Sequence, residues 1–127
     1  MKLRCTHDSV RIRLRKSEVE QLGRTGHCTE VIHFPEQRVL TFGLFIRGVN
    51  TVDAAFLDNQ LQIVLPEKEA NAWINSDQVG IETRIALSKE SFLHVLIEKD
   101  FPCKDRPDED KSDTFQDLAD QNDGGAC

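Results

Sequence analysis

No apolar run in this chain approaches the roughly 20 residues needed to span a bilayer, so a membrane-crossing helix is excluded. The four cysteines, Cys5, Cys28, Cys103 and Cys127, are irregularly spaced and form no C-x-x-C pair. That excludes the usual zinc-ribbon and dithiol signatures. No apolar stretch follows Met1-Lys2-Leu3-Arg4, so no signal peptide is expected. The expected setting is cytoplasmic, with free thiols. Glycine-rich phosphate loops, nucleophile elbows and paired metal motifs are also missing, and no cofactor or metal is expected. Apolar residues make up only 39% of the 127 positions, a low share for a packed chain.

Charge is what the chain has, and it is unevenly placed. Residues 1–97 carry 12 basic and 12 acidic side chains, whereas residues 104–127 carry 3 and 8. Nearly all of the net charge of −6 therefore belongs to the C-terminal stretch. The composition divides the chain into a single domain, 1–103, and an acidic tail, 104–127, expected to be flexible. A neutral domain argues against nucleic acid as a partner. Locally, residues 2–16 hold six basic groups (Lys2, Arg4, Arg11, Arg13, Arg15, Lys16) against Asp8 alone.

Val10-Arg11-Ile12-Arg13-Leu14-Arg15 alternates with period two, which predicts a strand with one apolar and one arginine face. Lys2–Thr6 is a weaker strand before it, separated by a turn at His7-Asp8-Ser9. Ser17 and Glu20 have capping-box spacing, predicting a short helix that ends near Gly23 or Gly26. Strands follow at Cys28–Phe34 and Arg38–Arg47, then a hairpin from Val52–Leu57 and Gln60–Leu65. A second helix is expected from Pro66 to about Asn75, and a last hairpin from Val79–Leu87 and Phe92–Lys99. The order strand, strand, helix, strand, strand occurs twice. A shift of 51 positions lays Val10, Ile12 and Leu14 on Leu61, Ile63 and Leu65, so an internal duplication of 1–50 and 51–100 is expected.

The expected fold class is therefore α+β: an antiparallel sheet of about eight strands, able to curl into a half-barrel, with two short helices on one face. Alternation assigns Val10, Ile12, Leu14, Leu40, Phe42, Leu44, Leu61, Ile63, Leu65, Ile81, Ile85, Leu93, Val95 and Ile97 to the helix side. The opposite face then carries Arg11, Arg13, Arg15, Arg84, His94 and Glu98, with Arg47, Gln60, Gln62 and Glu82. Guanidinium forks match phosphate and carboxylate oxygens, so these six lead residues are the candidate ligand-binding set.

Duplicated strand–helix–strand units lined by charge resemble the triphosphate tunnel fold, which implies a barrel and a phosphate substrate. The opening glutamates and lysine of that fold are replaced here by arginines, which puts hydrolysis in doubt. The motifs Lys2-Leu3-Arg4, Ser9-Val10-Arg11-Ile12-Arg13-Leu14, Ser17-Glu18-Val19 and Glu98-Lys99-Asp100-Phe101, with Cys103 and Glu109-Asp110, resemble an uncharacterised family of small bacterial proteins. Cys5 and His7 depart from that pattern. The resemblance implies membership over most of the chain and no activity.

Other chemistry is thinner. Cys5, His7, His27 and Cys28 have poor spacing for a zinc tetrahedron, since adjacent strand residues point apart. Cys103 lies among cations and acids that act on its thiol in opposite directions, and it is the candidate thiol site. The Asp108-Glu109-Asp110…Asp113 cluster lacks the order of a calcium loop. The sequence thus points to a non-enzymatic binding domain whose arginine face meets an anionic small molecule or protein partner, the acidic tail included. A triphosphatase-like enzyme and a metal or redox accessory protein built on Cys103 are the alternatives. No oligomeric state is legible.

Overall fold

The structure is a computed structural model and describes residues 1–101 and 112–119. Chain order is β1 (Lys2–Thr6), β2 (Ser9–Leu14), α1 (Lys16–Thr25), β3 (His27–His33), a 3-10 turn (Pro35–Gln37), β4 (Val39–Arg47), β5 (Asp53–Leu57), β6 (Gln60–Pro66), α2 (Glu67–Ile74), β7 (Gly80–Ala86), β8 (Phe92–Lys99) and a short α3 (Gln116–Ala119). The β1–β2 and β5–β6 hairpins turn through positive φ at Asp8, and at Asp58 and Asn59. Those are residue types that tolerate the left-handed region.

The class is α+β, but the strands do not form one antiparallel sheet. They form two four-stranded sheets, ordered β1-β2-β8-β7 and β3-β4-β6-β5. In each, the central pair is parallel (β2 with β8, β4 with β6) and the outer pairs are antiparallel. The hairpin pattern alone suggests an all-antiparallel sheet because neighbouring strands usually pair. Here α1 carries the chain from β2 in one sheet to β3 in the other, and α2 carries it from β6 back to β7. Parallel pairing needs such a long return. Among the described residues no closed barrel results; α1 packs against β3 and β4, and α2 packs against β4 and β6 of the same sheet and β7 of the other.

The two units, 1–50 and 51–100, carry the same pairing. Ser9 of β2 corresponds to Gln60 of β6, an offset of 51. Thr41 of β4 corresponds to His94 of β8, an offset of 53, with the extra two residues between α2 and β7. With those offsets every register in one sheet maps onto its counterpart: Ser9 beside His94 becomes Gln60 beside Thr41, and Lys2 beside Arg13 becomes Asp53 beside Val64.

One core joins both sheets and both helices. Ile12, Leu14, Leu22, Leu44, Ile63, Leu65, Trp73 and Ile97 are fully buried within it. Trp73 occupies the α2 position that corresponds to Leu22 of α1, and its indole N–H donates to the Val79 carbonyl at 3.0 Å. That bond satisfies a polar group which would otherwise be costly inside the core. Gly43 lies where β4 meets β3: a Cβ there would collide with the Cys28 carbonyl and Thr29, so the close strand approach requires glycine.

Residues 112–119 pack against this unit. Thr114 and Leu118 are buried, Phe115 lies against the core, and the Phe115 N–H donates to the Asp100 carbonyl at 3.0 Å. Among the described residues, no helix is long and apolar enough to cross a membrane.

Candidate anion-binding face

Because Val10, Ile12 and Leu14 of β2 point into the core, Ser9, Arg11 and Arg13 point outward. Register then builds the rest of the outer face of the β1-β2-β8-β7 sheet. Lys2 lies opposite Arg13, and Arg4 opposite Arg11. On the other side Arg13 neighbours Glu98, and Ser9 neighbours His94, which faces Arg84 of β7. The face thus carries five cations (Lys2, Arg4, Arg11, Arg13, Arg84) and two carboxylates (Glu82, Glu98). Two of its cross-strand pairs bring like charges together, an arrangement that weakens a sheet.

Glu98 holds the centre. Its Oε1 accepts the Nε–H of Arg11 and, at 2.9 Å, that of Arg13. The Glu98 side chain is only 11% exposed. Burial pushes its carboxyl up, but the hydrogen bonds and charges of Arg11 and Arg13 outweigh burial and hold it below the ordinary glutamate value. His94 Nε2 lies 2.6 Å from Glu82 Oε1 at the exposed end, where Arg84, His94, His7 and Phe92 line an open depression of about 460 Å³.

Arg11, Arg13 and Glu98 are therefore one cluster, while His94 and Arg84 form a second, two-residue group on the same face. Arg15 is not part of either. It lies beyond the end of β2 as the N-cap of α1, where its backbone N–H donates to Glu18 Oε1 at 2.9 Å. The capping residue is thus Arg15 rather than Ser17, and Glu18 rather than Glu20 reaches back. Arg15 instead lines a neighbouring cavity of about 360 Å³ with Lys2, Arg13 and Asp100. Cys103, Asp108, Glu109 and Asp110 lie outside the described residues. Asp113, the last acid of that cluster, accepts the Ser17 N–H at 2.9 Å and the Ser17 hydroxyl at 2.6 Å.

Lys2 and Arg4 belong to this face but do not stand out in sequence, because β1 is a weak strand. The alternation of Leu3 and Cys5 with basic residues is the signal that finds them. Lys99 and Asp100 have no such signal. Lys99 points inward, is 1% exposed, donates to the Ser76 carbonyl at 2.7 Å, and has the Trp73 and Phe115 rings within 5.8 and 5.4 Å. Burial lowers its pKa, and Asp77 acts against that. Cys5 is exposed on β1, while Cys28 is buried on β3 of the other sheet with its thiol pushed up by burial, so the two do not share a site.

A family model described as "Family of unknown function (DUF7009)" matches residues 1–119. No curated protein matches the chain, and no solved structure does.

Proposed function

Because this chain belongs to the DUF7009 family, whose function is unknown, we propose a role from its geometry: a non-enzymatic binding domain whose β1-β2-β8-β7 face takes an anionic partner. One observation carries this reading, the contrast between two equivalent faces. The position of Arg4 is Ala55 in the other sheet, that of Arg11 is Gln62, that of Arg13 is Val64, that of Arg84 is Val31, and that of Glu98 is Phe45. The same backbone is thus built once with a charged outer face and once with a nearly uncharged one. The equivalent backbone forms without arginines in the other sheet, and the like-charge pairs across β1 and β2 act against the fold. A phosphate- or carboxylate-bearing ligand would add to the carboxylates that Glu98 and Asp100 already set among these cations. The same equivalence supports an internal duplication in which one copy took on the binding role, and the free thiols Cys5 and Cys28 fit a cytoplasmic setting.

Calorimetric titration of the full chain with tripolyphosphate and with a glutamate-rich peptide tests this. Binding is expected at low salt, weakening as salt rises. The Arg4→Gln, Arg84→Gln pair, both exposed, should weaken it by about tenfold. No heat of binding at low salt, or an unchanged affinity in the double variant, would sink the reading. Release of inorganic phosphate during the titration would replace it with the hydrolytic alternative.

A further inference from the structure

The two halves of the chain differ inside as well as outside. Lys99 continues the inward row of β8 after Val95 and Ile97, beside Leu14 of β2. The equivalent place in β4 is Ile46, beside Leu65 of β6, and it packs against the core. One position is thus filled by an alkyl side chain in one half and by an amine in the other. A buried ammonium is ordinarily paired with a carboxylate. Lys99 is fully buried, yet its one hydrogen bond goes to the Ser76 carbonyl, and no described carboxylate forms an ion pair with it. Lys99 also lines a cavity of about 410 Å³ beneath residues 112–119, a volume in the range of small-molecule sites. Lys16 and Lys99 meet Asp77 and Asp117 in that lining, and Ile74 and Leu118 give it an apolar wall. The cavity has no counterpart in the other half. Asp77 falls in the stretch between α2 and β7 that holds two extra residues, and residues 112–119 follow both units.

We infer that Lys99 is an imine-forming amine, and that this cavity takes a small uncharged aldehyde or ketone with an alkyl chain. Two cations and two carboxylates balance in the lining, so it selects neither an anion nor a cation, and the apolar wall suits an alkyl chain. The Nζ lone pair adds to the carbonyl carbon. The carbonyl oxygen then leaves as water with both Nζ hydrogens, and a C=N bond replaces the C=O bond. Asp77, whose charge acts on Lys99, carries the proton between them. Burial outweighs that charge and favours the neutral amine which the addition needs. The site is independent of the arginine face, since Glu98, one residue earlier, belongs to the outer side of the sheet.

Incubation of the full chain with butanal and cyanoborohydride at neutral pH, followed by peptide mapping, tests this, because the reductant turns an imine into a stable secondary amine. A positioned proton carrier is worth about 10²–10⁴-fold. Lys99 should therefore be alkylated at least about tenfold sooner than Lys68 and Lys89, which are exposed. Lys99→Ile, which copies Ile46, should lose the early adduct from the intact mass. A Lys99 that stays unmodified, or that reacts no sooner than the exposed lysines, overturns the proposal. So does an early adduct that persists in Lys99→Ile. The wild-type map decides alone if that variant does not fold.

Discussion

Replacing Glu98 by Gln removes the charge that the partly buried guanidiniums of Arg11 and Arg13 share. Since the Glu98 side chain keeps some exposure, the cost should be about 1–2 kcal/mol near neutral pH, below that of breaking a fully buried pair. The sign of its pH dependence follows from the direction of the shift. The folded-state value lies below the ordinary 4.5, so the stabilisation is complete above that pH and is lost as pH falls through the folded value. Urea titrations should therefore show wild type and Glu98→Gln converging in stability as pH falls below 4.5 and through the lower folded-state value. Curves that stay parallel down to strong acid would mean that Glu98 acts by packing and not by charge.

At the scale of elements, α1 shows what a sequence can and cannot show. Val19 and Leu22 read as its buried side and are buried. Its first turn reads as self-sufficient, yet the structure divides the work: Glu18 takes the Arg15 N–H, and Asp113, 96 residues away, takes Ser17. A carboxylate at a helix N-terminus meets unpaired N–H groups and the positive end of the dipole. Asp113→Ala should cost about 1 kcal/mol and loosen residues 112–119 from the domain. Proteolysis that cuts the variant there sooner than wild type checks this; equal cutting rates would show that the segment's other contacts, Phe115 and Leu118 among them, suffice to hold it. The strands were legible because alternation is a local signal: Val10, Ile12 and Leu14 announce their face without help. Strand pairing was not legible. β2 and β8 are both amphipathic, and nothing in Ser9–Leu14 says that its neighbour is His94–Lys99 rather than another strand. The arginine stripe was readable for the same local reason, whereas the Arg11–Glu98 contact depends on a parallel register, and Arg15 left the stripe because the strand ended one residue sooner than the alternation did.

For the whole molecule, the division of labour between the two sheets follows from where their strands lie along the chain. All four strands of β3-β4-β6-β5 fall within residues 27–66, while β1-β2-β8-β7 is assembled from residues 2–14 and 80–99. Ser9 and its partner His94 are 85 positions apart, whereas Thr41 and Gln60 are 19 apart. Long loops must close before distant contacts repay them. On the ribosome, then, the β3-β4-β6-β5 sheet can be complete before β7 and β8 emerge. β2, made before that sheet, waits with Val10, Ile12 and Leu14 uncovered until β8 emerges. The nascent chain should present that segment to chaperones throughout the interval between the two strands. In refolding, Ile63→Val should mainly slow folding and Ile97→Val mainly speed unfolding. The reverse pattern in the two chevrons would place the start of folding in the charged sheet. Otherwise, the surface proposed to meet a ligand is the part of the molecule that does not exist until β8 has been made.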